Sequence, residues 1–340
     1  MEPWKEVFTV ILNIQESITS MDSLRNGYII RDGFVFTKTT HAPVFDSLVI
    51  RDTQNAVSSS VMFPASSRSL DQHIQLVQEY NLEKAVIICN DLSFVTRCPS
   101  LKSIAVYPAI DSKDGFDFSA LYQMPNISEI FCATNYGYKD QLHSMVDYSR
   151  MNSLLCVRAA GNGHFGYERI GCLEKLWLSC SKQHNDFTDI SCSASLKDVT
   201  IMQCKVKSLK GIEKHPKLEE LALYHCRSLE DISALAHTSQ TLRSLTIESC
   251  PQITDFSVLK NLSQLQHLQL YGNNVLPDLN FLQSMKRLKT FCFTMNVQDG
   301  DLTLCTKIPY ASCKNRKHYN FKDKMLPKNL SELRDKGDNR

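Results

Sequence analysis

No stretch of this sequence is long and apolar enough to cross a bilayer as a helix, which takes about 18 such residues, so no membrane-spanning helix is expected. No secretory leader is expected in these residues either. The first residues, Met1-Glu-Pro-Trp-Lys-Glu-Val-Phe-Thr-Val10, put acids and a proline ahead of a short apolar stretch, with no clean cleavage site after it. Net charge is nearly absent, 38 Lys and Arg against 36 Asp and Glu. No global field therefore marks nucleic acid or an acidic membrane as the partner. No Ser/His/Asp or Cys/His group carries the local signature of a catalytic site, and the ten histidines are scattered. Thirteen cysteines are an odd number, in a long chain in which no leader is expected. Reduced thiols and a cytoplasmic location are the expectation. The 340 residues, 43% of them apolar, call for two folding units or one extended solenoid.

What is present is a repeat. Apolar residues recur at the first, fourth and sixth places of a short segment, with Asn or Cys at the ninth. The clearest copies begin at Leu196, Leu218, Leu242, Leu265 and Leu288. Their ninth places hold Cys204, Cys226, Cys250, Asn273 and Asn296. Weaker copies begin at Leu82, Leu101, Ile127, Leu154 and Leu173. All thirty anchors are apolar, at spacings of 19 to 27 residues. In a strand, residues two apart share a face, so the fourth and sixth places point inward together. One repeat cannot bury them alone; stacked neighbours make a continuous core. This is the strand pattern of a leucine-rich repeat. The predicted fold class is α/β, a solenoid whose curved parallel sheet has short turns or 3₁₀ helices on its convex side. An N-terminal α+β cap is expected over 1–81, repeats over 82–300, and a C-terminal cap with a basic, partly disordered tail over 301–340.

A second motif lies between strands: Asp117-Phe-Ser-Ala-Leu121, Asp231-Ile-Ser-Ala-Leu235, Asp255-Phe-Ser-Val-Leu259 and Asp278-Leu-Asn-Phe-Leu282. Together the two motifs resemble the internalin-like class of bacterial leucine-rich repeats, with about 22 residues each. The resemblance covers roughly residues 82–300. It departs from the class upstream of residue 195, where repeat lengths vary and the 117–121 copy stands alone. Within 1–81, Tyr28 to Phe36 reads as a hairpin around Asp32-Gly33, and Ser69 to Tyr80 as a helix capped by Ser69. Phe45, Leu48 and Ile50 fit a degenerate repeat.

Several other features invite a chemical reading. Gly161-Asn-Gly-His-Phe-Gly166 matches a nucleotide-binding glycine pattern, but about six residues separate it from the next strand, too few for the helix that would hold a phosphate. A tight loop with glycines at positive φ is the alternative. Cys172, Cys180, His184 and Cys192 lack a C-x-x-C pair, so packing or loop positions are expected rather than zinc. No cofactor or metal is predicted.

Function is expected on the outward face. The residues between the anchors pave the concave side, and large groups there have no core to join. Phe131, Arg158, Trp177, Met202 and Tyr224, with Tyr107, Glu248 and Tyr271, are the candidate partner-binding residues, of types that dominate interface energies. The reading is a non-enzymatic module binding a protein partner, of the sequestering or immunity kind. Two alternatives stand beside it. One is a nucleic-acid adaptor using the basic segment around Lys314, Arg316, Lys317, His318, Lys322 and Lys324, within a stretch carrying ten Lys/Arg and five Asp/Glu over 301–340. The other is a small catalytic domain within 1–81.

Overall fold

Strands form where the anchors predict them, in a chain that clusters into two units, Met1–Val146 and Asp147–Arg340. The boundary falls inside the stretch expected to be one repeat domain. The computed structural model describes residues 28–37, 47–51, 66–108, 116–134 and 145–329.

In the first unit, β1 (Tyr28–Arg31) and β2 (Phe34–Thr37) form an antiparallel hairpin. Asp32 and Gly33 at its tip have φ of +49° and +83°, the doubly left-handed turn that matches strand twist. β3 (Leu48–Arg51) pairs antiparallel with β2 and parallel with β4 (Lys84–Cys89). Leu48 stands opposite Ala85 and Ile50 opposite Ile87. Parallel stacking thus begins one strand before the Leu82 copy, at the degenerate repeat; Phe45 lies outside the described residues. β5 (Ser103–Pro108) and β6 (Glu129–Ala133) continue it. Helix α1 (Leu70–Glu79) is capped as predicted. The Gln72 amide donates to Ser69 Oγ and the Ser69 amide to Gln72 Oε1. His73, Ile74 and Val77 form its buried face.

Among the described residues of the second unit, the main sheet has eight parallel strands: β7 (Cys156–Ala160), β8 (Lys175–Ser179), β9 (Asp198–Met202), β10 (Glu220–Tyr224), β11 (Ser244–Glu248), β12 (His267–Tyr271), β13 (Thr290–Phe293) and β14 (Tyr310–Cys313). Neighbours pair without slippage, so anchor meets anchor along the whole ladder. Every anchor of β7 to β13 is at most 6% exposed. β14 was not among the ten expected strands. Its sequence, Tyr-Ala-Ser-Cys, lacks Leu and Ile, yet Ala311 and Cys313 fill the anchor places opposite Phe291 and Phe293. The chain then turns back: the Ala311 amide donates to Pro327 O and the Asn329 amide to Pro309 O.

Each strand of the middle repeats ends in the same way. The residue after it is left-handed: Cys180, Gln203, His225 and Ser249 have φ between +53° and +58°. That conformation costs an ordinary residue about 1–2 kcal/mol, and the ladder offsets it. Their amides donate to Met202, Tyr224, Glu248 and Tyr271 at 2.8–2.9 Å, one more rung than the strands alone supply. The reversal then swings the next residue inward. Cys204, Cys226 and Cys250 are buried there, with sulfurs 3.6–3.7 Å from carbonyls of the preceding strand, Leu178, Ile201 and Leu223. In the following repeat Gly272, at φ +139°, shifts the pattern by one. Asn273, which stands at the ninth place held by those cysteines, is exposed. Asn274 takes its place, its Nδ2 donating to Cys250 O at 3.0 Å and Ile253 O at 2.8 Å.

The aspartate motif is more general than its four sequence copies. Asp91, Asp117, Asp147, Asp186, Asp231, Asp255, Asp278 and Asp301 each accept a hydrogen bond from the amide two residues on, at 2.7–3.1 Å. All but Asp186, which caps a simple turn, satisfy an amide at the mouth of a short 3₁₀ helix. The 117–121 copy is therefore not isolated.

Candidate protein-binding face

Five-residue strands with inward second and fourth places have three outward columns. The middle one runs in register Arg158, Trp177, Thr200, Ala222, Thr246, Gln269, Cys292, Ser312. Trp177 sits between Arg158 and Thr200 on the neighbouring strands. A second column reads Ala160, Ser179, Met202, Tyr224, Glu248, Tyr271. Arg158, Trp177, Met202, Tyr224, Glu248 and Tyr271 are all half-buried. That is the state of a side chain standing on a sheet with neighbours on each flank. Glu248 has His225 Nε2 at 3.8 Å, and partial burial pushes the Tyr271 phenol above its usual pKa.

The third column was missed. It consists of the first residue of each strand: Cys156, Lys175, Asp198, Glu220, Ser244, His267, Thr290. The signal was present, since the residue before the fourth-place anchor has the same parity as Trp177. Lys175 is exposed and Asp198 and Glu220 half-buried. Ser244, His267 and Thr290 are buried, His267 Nδ1 lying 2.9 Å from Thr290 Oγ1.

In the first unit the face differs from expectation. Phe131 is 8% exposed, and Val86 and Ala105 in the same column are fully buried. Tyr107, half-buried, packs on Phe131 with ring centroids 5.1 Å apart. Alternation set the strand parity correctly, but outward parity did not mean open.

The remaining chemical features resolve into structure. Gly161, Gly163 and Gly166 all have φ between +87° and +103°, and a Cβ on Gly166 would lie 2.4 Å from Asp147 Oδ1. The next element is a three-residue 3₁₀ turn, Tyr167–Arg169, too short to seat a phosphate. His164, inside the pattern, is 2% exposed. Its Nε2 lies 3.1 Å from Ala160 O and its Nδ1 2.9 Å from the Tyr148 hydroxyl. A carbonyl only accepts, so Nε2 carries the proton and Nδ1 accepts from the phenol. Burial pushes the imidazole down to a pKa of about 4. A second such pair, Tyr167 Oη to His184 Nε2 at 2.6 Å, follows it. Tyr148 and Tyr167 are both fully buried, and each buried hydroxyl has its imidazole partner. Cys172 and Cys192 are exposed and Cys180 half-buried. Among the described residues no three His, Cys, Asp or Glu side chains gather as a metal cluster. All thirteen cysteines are free thiols. None of the described helices is long and apolar enough to cross a membrane.

The basic C-terminal stretch builds a cap. Lys322 Nζ donates to the carbonyls of Arg316 and Tyr319, Lys328 Nζ to Ala311 O, and Arg316 to Thr294 O. The Tyr319 hydroxyl accepts from the Val297 amide and donates to Met295 O.

No protein-family description matches the chain, and no curated protein does. Solved structures do. An internalin from Listeria monocytogenes superposes with a TM-score of 0.51 at 16% identity, over 80% of this chain and 83% of that one. A structure of the Toll–Spätzle complex from Drosophila gives 0.52 at 8% identity, over 87% of this chain but 42% of the other. A leucine-rich-repeat protein of Leptospira interrogans aligns over 75% of this chain at 14% identity, with a TM-score of 0.43. With one parallel register from anchor to anchor, and the Listeria internalin superposing on it, the chain has the leucine-rich-repeat solenoid fold of the internalin type.

Proposed function

We propose that this protein is a non-catalytic binding module whose partner is another protein, docked on the outward sheet face of the second unit around Trp177. The observation that carries the reading is the register of Arg158, Trp177, Met202 and Tyr224 on adjacent strands, all of outward parity and all half-buried. Trp, Tyr and Arg supply most of the energy at protein interfaces. The regular sheet below fixes their backbones, so little ordering is lost on binding. Free thiols throughout accord with a reducing, cytoplasmic setting. The nucleic-acid alternative draws little support, because Lys322 and Lys328 donate to backbone carbonyls and Arg316 Nη2 to Thr294 O. The described part of 28–81 extends the same sheet, which gives no support to a separate catalytic domain there.

Affinity capture from source cells tests the proposal, with native protein, Trp177→Ala and Lys207→Ala compared for one partner. Trp177→Ala should keep its melting temperature and bind at least ~30-fold more weakly, the equivalent of ~2 kcal/mol. Lys207, exposed between strands, should change neither. A folded Trp177→Ala that binds normally places the function elsewhere.

A further inference from the structure

The two ends of the strands carry charge in opposite patterns. At the amino ends, the residue after each first anchor reads Glu174, Lys197, Glu219 and Arg243 in four successive repeats. Signs alternate there and neighbours pair: Lys197 Nζ lies 3.1 Å from Glu174 Oε1. In the first unit Glu83 and Lys102, at the same place in their repeats, form an ion pair. Alternation is what stacked repeats favour, because like charges on directly opposed positions repel.

At the carboxyl ends the pattern gives way to a run of one sign. Three residues past β8, β9 and β10 stand Lys182, Lys205 and Arg227. Each follows a buried residue, Ser181, Cys204 or Cys226, and each is exposed. The Lys205 amide donates to Ser181 O at 3.2 Å, which sets it beside the Ser181–Lys182 peptide. No described acid comes within ion-pair distance of any of the three. Glu248 is turned to His225, whose Nε2 is 3.8 Å away. The same place holds Gly163 in the repeat before and Pro251 in the repeat after, so the ladder has three rungs. In a chain whose net charge is only +2, three unpaired cations in a row concentrate positive potential at one spot.

Spacing and surroundings select what neutralises it. Neighbouring strands are about 4.8 Å apart, so the outer rungs are about 10 Å apart. On a helix, acids at i, i+4 and i+7 share one face and span about 10.5 Å. On an extended chain, three acids of one face span about 13 Å. A single-stranded nucleic acid calls for aromatic side chains to stack on, but the residues beside the rungs are Cys180, Gln203 and His225 on one side and Gln183, Val206 and Ser228 on the other.

We propose that the ladder of Lys182, Lys205 and Arg227 receives a helix of a protein partner that carries acidic residues at i, i+4 and i+7. This surface lies past the strand ends, apart from the sheet face around Trp177, and does not depend on that assignment.

The test uses the whole protein, isotope-labelled for amide NMR, and two Ala/Gln-rich peptides of about twenty residues, long enough to be helical alone. One has Glu at i, i+4 and i+7. The other has the same composition with its three Glu spread around the helix. The striped peptide should shift the amide signals of Lys182, Lys205 and Arg227 saturably, and less as salt is raised. The scattered isomer should bind at least about threefold more weakly. Lys205→Glu restores alternation at the middle rung. It should abolish these shifts and raise the melting temperature at low salt. Lys217→Glu, the same charge change at an exposed site near the amino end of β10, should leave binding within about twofold. No shift at the three amides, equal binding of the two peptides, equal losses in the two variants, or a lowered melting temperature of Lys205→Glu overturns the proposal. A short oligothymidylate that saturates the same amides more tightly than the striped peptide overturns it as well, in favour of a nucleic-acid site.

Discussion

The Tyr148 hydroxyl donates to His164 Nδ1 at 2.9 Å, in a site where both side chains are at most 2% exposed. Tyr148→Phe removes that donor from a buried imidazole and should cost about 1–3 kcal/mol. Thermal or urea unfolding measures it. A loss near zero would mean that the bond contributes nothing net and that Tyr148 is held by packing alone.

The same pair predicts a pH dependence. His164, His73 and His215 are buried, and burial lowers the pKa of each, His164 to about 4. His73 and His215 use Nδ1 on the carbonyls of Ser69 and Ser193, and their Nε2 atoms have no hydrogen-bond partner. The unfolded chain binds these protons near pH 6.5, the folded chain only lower. Stability is therefore full above pH 6.5 and falls as the pH drops toward 4, by on the order of 3 kcal/mol from His164 alone. The turn aspartates act in a separate window. Amide and hydroxyl donors hold Asp91, Asp186, Asp231, Asp255 and Asp301 below the usual carboxylate range. Their contribution is present above about pH 4 and is lost only below it. A melting temperature constant from pH 7 to 4.5 would show that the imidazoles are not kept neutral by the fold.

Asn273 and Asn274 are neighbours of identical chemistry in opposite roles. Asn274→Ala leaves two carbonyls without their amide donor and should cost about 1–3 kcal/mol. Asn273→Ala, at an exposed site, should stay within about 0.5 kcal/mol. Equal effects would restore the register expected from sequence.

Leu221, the second residue of β10, is 2% exposed. Truncation to Ala should cost ~2–5 kcal/mol, as buried leucines do. A neutral result would put Leu221 on the surface and reverse the parity of every outward column around it.

The thiols should fall into classes. Cys172 and Cys192 are exposed, Cys180 and Cys292 half-buried, the others buried. Burial pushes Cys204 up to about 11 and Cys305 up to about 12. Two thiols should react quickly with an aromatic disulfide reagent in native protein, all thirteen in denaturant. The Cys204–Cys226–Cys250 column should react only at the rate of unfolding. Fast reaction of these three would mean that the column opens in the native state.

The fold was legible because a repeat multiplies its own evidence: each apolar triplet is weak, and ten in register are not. What escaped the sequence was whatever depends on a single residue. β14 carries Ala and Cys where a leucine pattern was sought. Gly272 adds one residue, which moves an inward role from Asn273 to Asn274. Asp91, Asp147 and Asp186 were overlooked because turn chemistry needs only a carboxylate two residues before a free amide, whatever the hydrophobic residues around it. The face was read in part: parity identified Trp177, Met202 and Tyr224 correctly as outward, yet Phe131 shares that parity and is buried. Parity fixes the direction of a side chain. What lies above the sheet is set by tertiary packing, which a local pattern does not encode.

The C-terminal cap also bears on how such an array can grow. Beyond β14 the returning chain takes up the Ala311 amide and the Lys328 ammonium the Ala311 carbonyl at the end of the sheet, while Lys322 ties the cap's own carbonyls together. A duplicated repeat placed after Cys313 would have to displace that seal before it found a partner. Inserted between β9 and β13, where register and repeat length are uniform, the same duplication meets matching surfaces on both sides. Lineages of this protein should therefore differ in repeat number in the interior of the second unit, with the sealing segment carried along unchanged at its end.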